Sequence, residues 1–361
     1  MIKQINRRFR AGFAAIAVFA LAAGGVTGPG TETRTEAPRD ATTDHVVVIS
    51  IDGLRPDAIE EFDAETLQRL MREGAYSLKA QTILPSKTLP SHTSMLTGVP
   101  PAVHGITFNS RQTDAHGVVE VPTVFAVAKD AGYHTAAFFS KAKFHHLAQP
   151  GSLDYWQGPG SNISHWMATK TVPDAVRYLE HERPNLIFIH IGEPDYAGHS
   201  IGWMSFAYGW AVKRADGAVD TILEAADDAY GRGNYTVIVT ADHGGHDRNH
   251  GSDDPRDMTI PWIAWGKGVR PGGPLNAPIR TMDTAATALW LLGVAAPPQW
   301  VGRPVSSAFT PATQVAGDAP ADEEAPTPGA AAAVAVADTA AVAVADTAAD
   351  TAASGPAPTA H

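Results

Sequence analysis

The segment His45-Val-Val-Val-Ile-Ser-Ile51 is apolar at nearly every position and rich in β-branched side chains. A strand with one wet face alternates apolar and polar residues, so an unbroken run belongs to a strand covered on both sides. That requirement places helices above and below a sheet, and the middle of the chain supplies them. Ala58 to Arg72 carries apolar residues at Ile59, Phe62, Leu67, Leu70 and Met71, a helical spacing closed by Gly74. Pro122 to Ala131, Pro173 to Glu182, Met204 to Ala229 and Asp283 to Leu292 also read as helices. His134 to Phe139, Leu186 to Ile191 and Tyr235 to Thr240 read as strands. Such alternation predicts an α/β fold: a mostly parallel central sheet with helices on both faces, a three-layer sandwich. One domain over residues 45–308, about 265 residues, is near the upper limit for a single core.

The two ends have a different character. Lys3, Arg7, Arg8 and Arg10 precede an apolar run from Ala11 to Val26, the pattern of a secretory signal peptide over residues 1–28. The run is shorter than the roughly 20 residues that span a bilayer, so no stable membrane span is expected after cleavage. An uncleaved N-terminal anchor is the alternative. Residues 29–44 lack periodicity and read as a linker. Residues 309–361 are rich in Ala, Pro, Thr and Asp, repeat VAVADTAA at 334–341 and 342–349, and read as a disordered acidic tail. The chain is therefore expected to be exported, to a periplasmic or extracellular location.

Composition removes several classes of function. With no cysteine there is no disulfide scaffold, thiolate metal site or thiol nucleophile. The net charge of −11 argues against a nucleic-acid-binding surface.

In open α/β sheets, chemistry gathers beyond the carboxyl ends of the strands. The first strand runs into Asp52-Gly53, the strand at 186–191 into Glu193-Pro-Asp195-Tyr-Ala-Gly-His199, and the strand at 235–240 into Asp242-His243-Gly-Gly-His246 with His250 behind. Asp52, Asp195, His199, Asp242, His243 and His250 thus form three carboxylates and three imidazoles at one sheet edge. Mixed nitrogen and oxygen donors suit zinc, with manganese or iron as alternatives, rather than calcium or magnesium. Six groups exceed the needs of one catalytic zinc and suffice for two ions. Taken singly, an Asp-Gly after a strand is an ordinary turn, and most of the other histidines are expected to be structural.

Between the first and second donor groups lies Thr82-Ile-Leu-Pro-Ser-Lys87-Thr88-Leu-Pro90-Ser91-His92-Thr-Ser94, followed by Pro101, His104-Gly105-Ile106 and Asn109. Here the sequence resembles the nucleotide pyrophosphatase/phosphodiesterase branch of the alkaline phosphatase superfamily. The matching elements are Asp52-Gly53, Lys87-Thr88-x-Pro90-x-His92, Pro101-x-x-His104-Gly105-Ile106, Glu193-Pro194-Asp195-x-x-Gly198-His199 and Asp242-His243-Gly244, in that order over about residues 45–293. The resemblance implies an alkaline-phosphatase-like fold and two divalent metal ions. One would be held by Asp52, Thr88, Asp242 and His243, the other by Asp195, His199 and His250. It also implies Thr88 as nucleophile, passing through a phosphothreonine, in a hydrolase of phosphodiester or pyrophosphate bonds. Without the donor set, Thr88 would read as a hydroxyl capping a helix that starts near Ser91.

Three departures shape the substrate expectations. Ser91 stands where the phosphodiesterase branch carries an asparagine for a phosphoryl oxygen, and offers one donor where an amide offers two. His250 follows His243 by only seven residues; it is preferred over His246 as the last donor because His-Gly resembles compact relatives. Lys141-Ala142-Lys143 resembles the cation pair of phosphomonoesterase and phosphonoacetate-hydrolase relatives, which grip a doubly charged substrate end. Ser91, Asn109, Lys141 and Lys143 are therefore the expected substrate-binding residues. The expected partner is a small phosphate ester, nucleotide or phosphonate. A phosphomonoesterase or phosphonoacetate-type hydrolase is the alternative within the superfamily, and an inactive secreted binding protein the alternative outside it. The segment 109–121 and the aromatic stretch around Tyr155, Trp156, His165 and Trp166 either wall the pocket or pack as loops.

Overall fold

The computed structural model describes residues 41–111, 113–160 and 165–310. The expected signal segment, the tail beyond Thr310 and most of the linker lie outside them. Eight strands form one sheet: β1 (Val46–Ile51), β2 (Ala75–Gln81), β3 (Thr135–Phe138), β4 (Tyr155–Gln157), β5 (Leu186–Ile191), β6 (Thr236–Thr240), β7 (Thr259–Gly266) and β8 (Gly273–Pro274). Their order is β4-β3-β5-β1-β6-β7-β2-β8. Every pairing is parallel except the two that β7 makes, with β6 and β2. The mostly parallel sheet is as the alternation predicts, and β1, β5 and β6 are buried along their whole length.

The helices are α1 (Ala58–Glu61), α2 (Glu65–Glu73), α3 (Thr88–Thr97), α4 (Pro101–His104), α5 (Thr113–His116), α6 (Val124–Asp130), α7 (Ala168–Glu182), α8 (Glu193–Ser200), α9 (Phe206–Tyr230), α10 (Pro255–Met258) and α11 (Asp283–Leu291). One layer is built from α2, α7, α8 and α9, and the other from α3, α4, α6 and α11. These layers sandwich a continuous core centred on β1 and β5.

Two helices depart from the sequence pattern because a distant carboxylate caps them. The single helix expected over 58–72 is broken at Asp63, whose φ is +47°. α2 restarts beyond the break, its Thr66 and Leu67 amides donating to the buried Asp216 carboxylate on α9 at 3.0 and 2.8 Å. α7 begins at Ala168 rather than at Pro173, and the Ala168 amide donates to the Glu193 side chain of α8. Pro173 then lies inside the helix and removes one internal bond.

The antiparallel pair β2/β7 is legible only in the structure. β7 contains Pro261, which cannot donate to a ladder. Its pairing with β2 shifts register between Ser77 and Ala80, the stretch opposite that proline.

Candidate active site

Register aligns Ser50 of β1 with His190 of β5 and Thr240 of β6. The three strands therefore end together, and the turns beyond them project Asp52, Asp195 with His199 on α8, and Asp242 with His243 onto one edge. Gly53 makes the turn after β1 at φ +72°, and a Cβ there would lie 3.0 Å from the Asp195 backbone. Only glycine allows these two segments to approach so closely.

The donor atoms fall into two groups. In the first, His243 Nε2 is 3.4 Å from Asp52 Oδ1, 3.2 Å from Asp242 Oδ2 and 3.4 Å from Thr88 Oγ1. In the second, Asp195 Oδ1 is 3.3 Å from His199 Nε2 and 3.4 Å from His250 Nε2, which are 3.1 Å from each other. A tetrahedral ion with ligand bonds of about 2.0–2.1 Å separates its ligands by roughly 3.3 Å. The second group matches that spacing on all three sides, and the first matches it from His243 Nε2 to each of its partners. The stacked rings of His243 and His250, 3.6 Å apart, join them.

Two further observations fit a cation in each group. Among the described residues, Asp52 Oδ1, Asp195 Oδ1 and Asp242 Oδ2 are buried and accept no hydrogen bond. Buried carboxylate oxygens are seldom left so, because their desolvation is costly. The imidazoles are also turned the right way. Nδ1 of His243 donates to Gly244 O, Nδ1 of His250 to Ser86 O and Nδ1 of His199 to Arg248 O. A carbonyl only accepts, so Nδ1 carries a proton in each ring and Nε2 is the nitrogen turned toward the donor group. His250 is kept neutral because burial, with His243 beside it, pushes it down to about 4.

Behind these donors stands a layer of supporting side chains. Lys141, buried, places its ammonium 2.6 Å from Asp52 Oδ2 and 2.5 Å from Asp195 Oδ2. Burial pushes the Asp52 and Asp195 carboxyls up, but Lys141 and the neighbouring imidazoles outweigh it and hold both below the usual carboxylate range. His190 donates through Nε2 to Asp52 Oδ2 at 3.0 Å and accepts from the Ser140 hydroxyl at 2.6 Å. His92 donates from Nδ1 to the Thr88 carbonyl at 2.8 Å, 3.3 Å from Asp242 Oδ2. The protonated nitrogen of His190 thus faces its carboxylate, whereas the donor histidines turn theirs away.

Thr88 is the first residue of α3, three residues earlier than the helix start expected near Ser91. Every residue of this helix is buried despite its hydroxyl-rich sequence. Its hydroxyls are satisfied internally: Thr93 and Thr97 donate to the carbonyls four residues back, and Ser94 pairs with His104. The Thr88 hydroxyl is left for the donor group, at the positive end of the helix dipole.

Thr88 opens into a cavity of about 330 Å³ that Asn109, Lys143, Trp166, Met167 and Tyr196 also line. Asn109 Oδ1 accepts from the Leu89 amide at 2.9 Å and from Lys143 Nζ at 3.1 Å. Burial and the nearby Lys141 push Lys143 down to about 8. A larger hollow of about 880 Å³ between Pro56 and Gly273 holds none of the donor residues.

Two expectations about substrate contacts are corrected. Ser91 does not reach the cavity, because its hydroxyl donates to the Asp242 carbonyl at 2.7 Å and pairs with Thr82 at 2.6 Å. Lys141 borders the cavity, but its ammonium is shared between two carboxylates rather than free for a substrate. His246 stands apart from the donors and donates to Asp257 at 2.7 Å, leaving His250 as the histidine beside Asp195. The aromatic stretch divides: Trp166 walls the cavity, and Trp156 packs on Phe139 and His145. Of the supporting residues, His92 belongs to the Lys87-Thr88-x-Pro90-x-His92 motif but is given no role by it, whereas His190 and Asp257 carry no signal in local spacing.

Comparison with known proteins places this arrangement. The profile of the type I phosphodiesterase / nucleotide pyrophosphatase family matches residues 46–257. Human ectonucleotide pyrophosphatase/phosphodiesterase family member 1 is 25% identical over 229 residues, covering 58% of this chain and 24% of the relative. A bis(5'-adenosyl)-triphosphatase of Xenopus laevis is 27% identical over 233 residues, covering 58% of this chain and 49% of the relative. A GPI ethanolamine phosphate transferase 1 of Emericella nidulans is 24% identical over 269 residues, covering 65% and 29%. The chain thus spans about a quarter to a half of the length of these relatives. Among solved structures, murine ectonucleotide pyrophosphatase/phosphodiesterase 5, an inactive form in complex with AMP, superposes with a TM-score of 0.63 at 17% identity, covering 74% of this chain and 100% of that one. A 2-O GAG sulfatase superposes at 0.59 with 16% identity, covering 73% and 74%. Both likenesses speak for the fold.

Proposed function

The chain belongs to the type I phosphodiesterase / nucleotide pyrophosphatase family, and on that premise we propose that it is an exported two-metal hydrolase of phosphodiester or pyrophosphate bonds. The observation that carries this reading is the convergence of Asp52, Asp195 and His243, and of Asp195, His199 and His250, within reach of a shared cation, beside three buried carboxylate oxygens that accept no hydrogen bond among the described residues. Asp52, Thr88, Asp242 and His243 would hold one divalent cation and Asp195, His199 and His250 the second, zinc being the expected ion and manganese or iron the alternatives. When bound, such ions lower the pKa of a hydroxyl beside them and offset charge on a phosphoryl oxygen.

The chain's own residues supply the rest. Thr88 Oγ attacks phosphorus, the ester bond to the leaving alcohol or phosphate breaks, and a phosphothreonine forms. Water then cleaves the Thr88–phosphorus bond and returns the hydroxyl. Asn109, its Oδ1 occupied by Leu89 and Lys143, keeps its NH₂ group for a phosphoryl oxygen. Lys143 adds a positive charge on the same wall. Export rests on the segment 1–28, the catalytic domain on residues 45–308; among the described residues no helix is long and apolar enough to cross a membrane.

A specific observation favours a second reading within the superfamily. Lys143 is a cation on the cavity wall beside Thr88, as a doubly charged phosphate monoester or phosphonate end requires. The deciding experiment loads the protein with zinc or manganese, counts metal per chain, and measures turnover of a diester, a dinucleotide pyrophosphate, a monoester and phosphonoacetate. Two equivalents with fastest diester or pyrophosphate cleavage is expected. A folded protein that binds no metal and turns over none of the four overturns the proposal.

A further inference from the structure

Trp203 lies in the α8–α9 connection, and no part of the reaction scheme uses it. It is 7% exposed, and its indole sits edge-on to both imidazoles of the second donor group, with ring centroids 5.2 Å from His199 and 5.7 Å from His250. The fit is close because both neighbours on its face are glycines. A Cβ on Gly198 would lie 2.6 Å from the indole, and one on Gly245 would lie 2.2 Å from it. The indole Nε1 donates to the Gly53 carbonyl at 3.0 Å, and the Gly53 amide donates to Asp242 Oδ1 at 3.1 Å. The Trp203 amide donates to Asp247 O at 2.8 Å, inside the loop that delivers His250. One side chain therefore touches both histidines of the second group and reaches, through the single residue Gly53, a carboxylate of the first.

We infer that Trp203 is a positioning residue: its ring fixes His199 and His250 for the second cation, and its N–H links that group to Asp242 of the first. This rests on the two-cation reading above. Groups behind metal ligands commonly tune affinity by 10- to 100-fold. Trp203 differs from the usual polar support in acting mainly by shape, filling the space in which either ring would otherwise rotate.

The test uses the full-length protein loaded with zinc and dialysed against rising chelator, with zinc per chain measured for wild type, Trp203→Phe and Trp203→Leu. The wild type is expected to release two ions in two steps. The Leu variant releases one of them at a chelator concentration about 10- to 100-fold lower and keeps the other normally, and excess zinc restores its turnover. The Phe variant, which keeps a ring, holds the second ion close to normally. A folded Leu variant that keeps both ions as the wild type does overturns the inference, whereas a wild type that never holds two ions overturns the two-cation reading instead. Should the Leu variant not fold, cobalt titration decides. Filling of the second site is expected to quench a component of tryptophan emission present in the wild type and missing from the Phe variant, and equal quenching in both overturns the assignment.

Discussion

The hydroxyl of Thr88 lies 3.4 Å from His243 Nε2, at the first position of a buried helix. The geometry makes Thr88 one corner of a donor group whose other corners come from two strand ends. On the proposed two-cation reading the hydroxyl is dispensable for holding the first cation, since Asp52, Asp242 and His243 would remain without it.

Replacing Thr88 by Ala should therefore separate binding from chemistry. Turnover is expected to fall by about 10³-fold or more, with zinc content near that of the wild type. Thr88→Ser, which keeps the hydroxyl, should recover part of the rate. Full activity in the Ala variant would exclude the phosphothreonine.

Asn109 and Ser91 make opposite predictions. The amide of Asn109 borders the cavity, whereas the Ser91 hydroxyl is committed to the Asp242 carbonyl. Asn109→Asp retains the acceptor that pairs with Leu89 and Lys143 but loses the NH₂ donor. Its kcat is expected to drop by about 10²-fold, the usual cost of removing one preorganised donor. Ser91→Ala should leave kcat within about threefold and cost about 1 kcal/mol of stability, the net value of a buried hydrogen bond. Steady-state kinetics and denaturant melts of both variants check this.

How much of this was legible beforehand follows from the range of the interactions. β1, β5 and β6 were readable because burial on both faces writes itself as an apolar run, and the donors follow because each strand end is local in sequence. The orientation of Lys141 was not readable. Its residue type suggests a substrate clamp, and only the fold shows that Asp52 and Asp195 converge on it from two other segments. Asp216 and Glu193 escaped for the same reason, since each caps a helix that its own neighbours in sequence do not contain. β7 was hidden by Pro261, which strand propensity counts against although the register shift of β2 accommodates it.

Lys143 sets a pH dependence. Burial, reinforced by Lys141, lowers it from the ordinary lysine value to about 8, while Asp52, Asp195 and Asp242 pull it back up. Cations on those carboxylates would weaken the upward pull. In the metal-free chain the ammonium is present below about pH 8 and lost above it, and with cations on the carboxylates that loss moves to lower pH. KM for a dianionic monoester should rise as pH passes through that lower value, and the rise should vanish in Lys143→Met. A monoanionic diester should show the smaller change. Parallel KM profiles for both substrates in the wild type would remove Lys143 from substrate recognition.

Asp257 anchors the loop that carries His250. Its buried carboxylate accepts from Ser252 N at 3.0 Å, Ser252 Oγ at 2.7 Å and His246 Nδ1 at 2.7 Å, and its carbonyl accepts from Gly244 N at 2.9 Å. Burial pushes the carboxyl up, but Ser252 and His246 outweigh it and hold it below the ordinary value. The folded pKa is depressed, so this stabilisation is fully present above the unfolded value, near 3.9, and is lost only as pH falls through the folded one. At neutral pH the anchor is intact. Asp257→Ala leaves two donors and an imidazole unpaired and should cost about 2–3 kcal/mol. Asp257→Asn keeps the shape but loses the charge and one acceptor, and should cost less. Both should weaken retention of the ion held by Asp195, His199 and His250 more than that of the other, because the loop from Gly244 to Ser252 delivers His250 and the first group draws His243 from before it. Melting curves at pH 7 with zinc counts under chelator measure both effects, and equal loss of the two ions would mean that Asp257 supports the strand ends as a whole rather than the loop.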